Sequence, residues 1–158
     1  MAGTVLLAAA PATVHADTPV VLPLSAKQAL KAAEAALSTC SAAGLHVSVS
    51  IVDREGVARV LVVGDGAGPI SVSTSRRKAY TAAALGVRTS DLAARMAANT
   101  GATAPQTIDP EVLVLAGGVP IRRGDTVIAA VGVGGADQSD KDQACAQAGV
   151  DSLKDELH

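Results

Sequence analysis

The stretch "LAGGVPIRRGDTVIAAVGVGGA" (residues 115–136) decides the fold of this chain, because it predicts two strands joined by a tight turn. Apolar runs flank the basic turn at 122–124, which places one strand over 111–118 and the next over 125–135. Pro120 has no N–H to donate to a central ladder, which predicts an edge or a bulge there. The glycines at both ends raise the question of what needs bare backbone.

These glycines do not form a nucleotide-binding loop. A dinucleotide fingerprint needs Gly-x-Gly-x-x-Gly between a strand and a helix, and here Pro69 or Asp137 stands where the third glycine belongs. The sequence also lacks Gly-x-x-x-x-Gly-Lys followed by Ser or Thr. We therefore expect the glycines to provide bare backbone against which another group can pack closely. That group is a flat macrocycle or, as the favoured interpretation, another subunit. The glycines concerned are Gly117, Gly118, Gly132, Gly134 and Gly135.

A second hairpin lies upstream of this one, and helices are predicted around both. "HVSVSIVD" (46–53) alternates Val and Ile with Ser, which is typical of a half-buried strand, and "VARVLVVGDG" (57–66) returns after a turn. The first helix begins at a capping box, Ser25 with Gln28, and ends at Gly44. Its predicted buried stripe is Ala26, Leu30, Ala33, Leu37 and Cys40.

Three further helices complete the predicted order. One covers 69–85 with Pro69 at its first position, and a short one capped by Thr89 or Ser90 reaches Ala98. The last runs from Gln138 to the end of the chain. Hairpins separated by helices predict the α+β class, with an antiparallel sheet built from two hairpins and helices packed over it. At 158 residues, 49% of them hydrophobic, the chain suits one domain.

The first 16 residues predict a signal peptide, which leaves 17–158 as a single exported domain. "MAGTVLLAAAPATVHA" is apolar and ends in small residues, although it lacks the opening Lys or Arg of such segments. Export would allow Cys40 and Cys145 to form a disulfide, whereas Cys40 on an apolar stripe is equally typical of a small core residue. The residues leave these two alternatives open.

Composition and motifs exclude several classes of function. The net charge of −2 and the single aromatic residue, Tyr80, argue against nucleic-acid binding, which favours basic surfaces and stacking rings. No Gly-x-Ser-x-Gly, His-Glu-x-x-His or Cys-x-x-Cys occurs, so no residue is predicted to be catalytic. Asp53, beside a hairpin turn, is expected to stabilise that turn.

Several motifs together resemble the GlcG/HbpS family of haem-binding proteins, from about Leu24 to the end of the chain. They are Val-Asp-x-x-Gly at 52–56, Arg-Arg-Lys-Ala at 76–79, Ala-Gly-Gly-Val-Pro at 116–120 and Gly-Val-Gly-Gly at 132–135. The resemblance implies a profilin-like fold, a symmetric oligomer that is often an octamer, and binding of haem or a corrinoid-type tetrapyrrole.

Within that family the predicted signal peptide favours the secreted branch. The resemblance implies that such members bind haem outside the cell, can degrade it with iron release, and report to a membrane sensor kinase. If haem is degraded here, we expect the iron to drive the reaction while the protein positions it. The alternative hypothesis is a structural or regulatory subunit, related to glycolate or corrinoid metabolism, whose tetrapyrrole binding is incidental.

The resemblance directs attention to a few residues that can meet a haem. Arg76, Arg77 and Lys78 lie about 100° apart around a helix, so one or two of them can pair with propionates, or form a solvated face or intersubunit ion pairs. Tyr80 shares a helix face with Arg76, and His46 is the histidine expected inside the folded domain. The sequence does not identify the axial ligand of the iron.

Overall fold

A four-stranded antiparallel sheet with strand order β2-β1-β4-β3 organises the chain. The structure is a computed structural model that describes residues 22–99, 101 and 103–157, and the predicted signal peptide lies outside these residues. The strands are β1 (Ser48–Asp53), β2 (Ala58–Val63), β3 (Gly118–Arg123) and β4 (Thr126–Gly134). The α+β class and the sheet of two hairpins are confirmed, with β1 and β4 paired at its centre.

Helices cover both faces of this sheet. They are α1 (Ala26–Ala42), α2 (Pro69–Leu85), α3 (Thr89–Ala98) and α4 (Ser139–Asp151), with short 3-10 turns at Pro105–Thr107 and Lys154–Glu156. Helices α1 and α4 pack with one face of the sheet around Val49 and Val131, while α2 covers the other face around Val52 and Ala130. Of the helices in the described ranges, none combines the length and the apolar character needed to cross a membrane.

The capping box of α1 is confirmed, but the buried stripe of this helix was predicted only in part: Ala33 and Cys40 are buried, whereas Ala26 and Leu30 are exposed. Ser25 Oγ accepts from the Gln28 N–H at 3.2 Å, and Gln28 Oε1 accepts from the Ser25 N–H at 3.0 Å. Leu30 is 57% exposed. The helix turns its alanines inward instead, because small side chains let its backbone approach the neighbouring elements closely; the buried set is Ala29, Ala32, Ala33, Ala36 and Cys40.

Strand β1 is buried on both faces, not on one as its alternating pattern predicted. The serines that were expected to face solvent lie under α2. There the Ser48 and Ser71 hydroxyls are 2.7 Å apart, and those of Ser50 and Ser75 are 2.8 Å apart. Since each buried hydroxyl has a hydrogen-bond partner, a polar row is tolerated inside the fold.

The segment before β3 is a loop, and this corrects the strand predicted over 111–118. The Leu113 N–H donates to Thr81 Oγ1 at 2.8 Å, so the backbone of the loop is bound to a helix side chain instead of a ladder. Thr89 is the first residue of α3 and not its N-cap. Its hydroxyl accepts from the Gly118 N–H at 2.8 Å instead of from the backbone of its own helix. Pro120 does lie in an edge strand, as predicted.

The glycines of β3 and β4 allow α2 to lie directly on the sheet. A Cβ atom at Gly132 would overlap the Ser75 carbonyl oxygen, and one at Gly118 would overlap that of Lys78. The same helix fills the space over Gly134. Bare backbone is therefore needed for packing within the chain, a role that the sequence pattern did not predict for these glycines.

A disulfide joins the two helices on the opposite face of the sheet. Cys40 of α1 and Cys145 of α4 are bonded, with their Cα atoms 5.6 Å apart, and both side chains are buried. They are the two cysteines of the sequence. Of the two alternatives that the sequence left open, the structure has the bridge.

Reduction of this disulfide is expected to lower the free energy of unfolding by about 2–4 kcal/mol, because a cross-link across a long segment restricts the unfolded chain. The measurement is chemical unfolding with and without reductant. The control is the double variant Cys40→Ala with Cys145→Ala, whose stability should not respond to reductant. Two titratable thiols per chain in unreduced, denatured protein would show that the bridge is absent.

Substitution Gly132→Ala is expected to destabilise the fold by about 1–3 kcal/mol or more, because the added methyl group collides with the backbone of α2. Gly68→Ala is the matched control, since a Cβ atom there meets nothing within 4 Å. Urea unfolding of the two variants measures the difference. Equal stabilities would contradict the close approach of α2 to β4.

Candidate functional site

The segments that carry the family motifs meet around α2. One of them is the turn between β1 and β2, where Asp53 Oδ1 accepts from the Val57 N–H at 2.9 Å. Gly56 in this turn has φ +82°, and a Cβ atom there would overlap the ring of Tyr80. The expected turn-stabilising role of Asp53 agrees with this geometry, and the glycine gives Tyr80 room to lie against the turn.

Tyr80 connects the helix to the loop that precedes β3. Its hydroxyl donates to Asp109 Oδ2 at 2.6 Å. This hydrogen bond is the main cause that raises the pKa of Tyr80, and it also lowers the pKa of Asp109. A tyrosine that coordinates iron does so through its oxygen, which favours the deprotonated form. In this structure the Tyr80 hydroxyl is engaged by Asp109, so the geometry gives this residue a positioning role between α2 and the loop.

The two arginines of the predicted cationic motif hold the same loop. Arg76 forms an ion pair with Glu111, and both side chains are 43% exposed. Arg77 donates through Nη2 to the carbonyl oxygens of Pro110 at 2.7 Å and Val112 at 3.1 Å. A guanidinium group suits this task because its several donors point in fixed directions. Arg77 is thus bound to backbone carbonyls, whereas Arg76 is bound to a partly exposed carboxylate.

Lys78 points into the interior of the protein and not toward a surface pocket. Its side chain is 3% exposed, and its Nζ lies 2.6 Å from Asp142 Oδ2. Burial raises the pKa of Asp142, while the Lys78 ammonium and the Ala136 N–H oppose that shift. The pair joins α2 to α4 beside Gly117. Lys78 was predicted as one possible partner of a haem propionate, and in this structure its ammonium is paired with Asp142.

His46 lies apart from the cationic motif. A Cβ atom on Gly135 would touch both the His46 carbonyl oxygen and Ser71, which places His46 beside the beginning of α2. Tyr80 is nine residues further along that helix, a distance of about 13 Å along its axis. The ring of His46 borders a surface groove of about 300 Å³ whose apolar walls are Leu37, Leu45 and Val63. The structure therefore does not bring His46 together with Tyr80.

Sequence reasoning missed several residues that organise this region. Asp142, Thr89 and Asp109 each bind a group from a distant segment, and nothing in their local patterns marks them. Ser71 and Ser75 could have been predicted to act together, since a spacing of four residues places both hydroxyls on one face of a helix. Across the described part of the chain, no group of three or more His, Cys, Asp or Glu side chains is arranged to hold a metal ion.

Comparison with known proteins identifies relatives for this architecture. The model of the family "Haem degrading protein HbpS-like" matches residues 24–151. The crystal structure of a double mutant of Streptomyces reticuli HbpS is 39% identical, with a TM-score of 0.77 over 92% of this chain and 98% of that one. No curated protein sequence matches the chain significantly.

Two further solved structures share the fold at lower identity. The Klebsiella pneumoniae protein ORFY, of the family DUF336, is 26% identical, with a TM-score of 0.79 over 90% of this chain and 98% of that one. A PduOC:Heme complex is 25% identical, with a TM-score of 0.76 over 83% of this chain and 95% of that one. These likenesses agree with the predicted fold.

The hydrogen bond between Tyr80 and Asp109 predicts an alkaline titration above the ordinary pKa of 10.0 for a tyrosine. Because the raised pKa favours the protonated phenol in the folded state, its stabilising contribution is present below pH 10.0 and is lost as the pH rises through the folded-state pKa. Tyr80 is the single tyrosine, so ultraviolet absorbance reports it alone. Asp109→Asn should lower the titration midpoint, and an unchanged midpoint would contradict the contact.

Proposed function

Since this chain belongs to the HbpS-like family of haem-degrading proteins, we propose that it binds haem. The family match over residues 24–151 is the observation that carries this proposal. The haem complex of a structural relative supports it, because that relative shares the fold over most of its length. Haem is preferred over a corrinoid-type tetrapyrrole on the same grounds.

The chain offers chemistry that fits a haem. A macrocycle needs apolar walls and a donor for its iron, and the groove beside His46 combines an imidazole with Leu37, Leu45 and Val63. Arg76, near the middle of α2, is a partly exposed cation that can pair with a carboxylate. The groove is open to the surface, so a haem seated in it would keep one side available to oxygen, solvent or a second chain.

We propose degradation of bound haem with iron release as the activity; oxygen or peroxide would be the oxidant, and the haem iron would activate it while the protein holds the haem in place. The acidic side chains near α2 are already occupied: Asp53 holds a turn, Asp109 accepts from Tyr80 and Asp142 pairs with Lys78. The part of the chain that the structure describes therefore contributes binding and orientation rather than a positioned acid or base.

The proposed setting is a secreted homo-oligomer, an octamer in the form that the resemblance implies, that reports to a membrane sensor kinase. The predicted signal peptide supports export, and the Cys40–Cys145 bridge is typical of an oxidising compartment. Strand β2 is an edge strand on which Leu61 is 49% and Val63 is 52% exposed, which favours assembly. Recovery of a chain that begins near Asp17 from the culture medium tests export.

Titration of hemin into the purified protein is expected to produce a Soret band that saturates at a fixed ratio of haem to chain. Light scattering of the same sample should give several times the mass of one chain, and its ratio to the haem content gives the number of sites. Free hemin in buffer is the control. Weak binding without a fixed ratio would favour the alternative, a structural or regulatory subunit with incidental tetrapyrrole affinity.

A further inference from the structure

We infer that His46 donates its Nε2 to the haem iron and that the turn Gly64-Asp65-Gly66 is built to hold the ring in the required tautomer. The inference rests on the proposed function and adds the identity of the axial ligand and of the residues that position it. Neither the sequence nor the family description assigns a ligand, and the glycine-rich turn had no role once the nucleotide motif was excluded.

The tautomer follows from one hydrogen bond. His46 Nδ1 lies 2.7 Å from the backbone carbonyl oxygen of Asp65. A carbonyl oxygen can only accept, so Nδ1 must carry the proton of this bond. In the neutral ring the lone pair then resides on Nε2, for which the described residues provide no hydrogen-bond partner. Histidines that bind metals are commonly oriented in this way, with the second ring nitrogen donating to a carbonyl or a carboxylate.

The turn that supplies this carbonyl needs glycine at both ends. Gly66 has φ +76°, and a Cβ atom on it would lie 2.9 Å from His46 Nδ1. At Gly64 a Cβ atom would lie 2.7 Å from the Val47 carbonyl oxygen and 2.9 Å from Leu37 Cδ1. The backbone of the turn is fixed as well, because the Gly64 N–H donates to the Val47 carbonyl at 2.9 Å. Bare backbone at these positions lets the turn close around the imidazole.

The surroundings of the ring suit a macrocycle. His46 is exposed, so its Nε2 can be approached from outside the protein. The groove of about 300 Å³ beside it is lined by Leu37, Leu45 and Val63, with Ser41 and Asp65 at its margin. Iron ligation by one neutral nitrogen against apolar walls is a common arrangement for protein-bound haem.

Among the other usual iron donors of the described residues, the two cysteines and the tyrosine are already engaged. Cys40 and Cys145 are bonded to each other, so neither offers a thiolate. The Tyr80 hydroxyl donates a hydrogen bond to Asp109, which raises the pKa of Tyr80. Met96 is half-buried on α3. His15 and His158 lie outside the described residues, so the experiment must test His158 directly.

The first test is the spectrum of the haem complex of His46→Ala, with His158→Ala as the control. His46→Ala should shift the Soret position and weaken haem binding by about tenfold or more, because a coordinate bond is lost. Added free imidazole should restore the wild-type spectrum by occupying the vacated position. His158→Ala should leave the spectrum and the affinity unchanged. A normal spectrum in His46→Ala would overturn the inference.

The second test separates the positioning of the ring from general effects of backbone strain. Gly66→Ala places a methyl group against His46 Nδ1, whereas Gly124→Ala, at φ +56°, meets nothing within 4 Å. Both substitutions force an alanine into the left-handed region, at a similar backbone cost. Gly66→Ala should therefore change the Soret position while Gly124→Ala does not. Equal spectra in the two variants would show that the turn does not orient the ligand.

These outcomes distinguish the inference from the proposed function. If wild-type protein binds haem and the spectrum of His46→Ala is the same, haem binding stands and His46 is not the ligand. If wild-type protein gives no saturable Soret band, the proposed function fails and the inference fails with it. If His46→Ala loses its characteristic spectrum and imidazole restores it, both are supported.

Discussion

The close approach of α2 to the glycines of β3 and β4 is the constraint on which the rest of the structure depends. With the backbone of Ser75 directly above Gly132, only small side chains fit between helix and sheet. The two central strands, β1 and β4, are consequently buried on both faces, and their inner polar groups must find partners in the helix. The pairs Ser48–Ser71 and Ser50–Ser75 meet that requirement.

Because α2 is held so close, each direction around its axis has a separate task. Toward the sheet it presents small residues such as Ala79 and Ala82, and toward α4 it sends Lys78 to Asp142. On the side of the long loop, Arg77 and Tyr80 fix residues 109–112. A buried ion pair contributes little net stability by itself, but the loss of either partner would leave an unpaired charge in the interior.

This division of tasks changes the meaning of the motifs that carry the family resemblance. Arg-Arg-Lys-Ala at 76–79 and Ala-Gly-Gly-Val-Pro at 116–120 form the junction between α2 and β3, and most of their polar groups are bound within the chain. The residues of these two motifs therefore mainly stabilise the packing of α2 against β3. The groove bordered by His46 lies near the first turn of α2, beside a turn whose glycines resemble a nucleotide loop only in sequence.

The sequence alone determined the α+β class, the two hairpins and the first turns of the helices, because these depend on local pattern: the capping box at Ser25, Pro69 at a helix start and the alternation before Asp53. It also identified His46 and Tyr80 as residues able to meet a haem, since few such side chains occur. Prediction from the sequence failed for residues whose contacts are with segments distant along the chain. The alanine face of α1, the buried Lys78 and the loop at 111–117 all follow from contacts with other elements. Only the tertiary structure could decide these features, because whether a serine, a lysine or a glycine is buried depends on which helix lies above it.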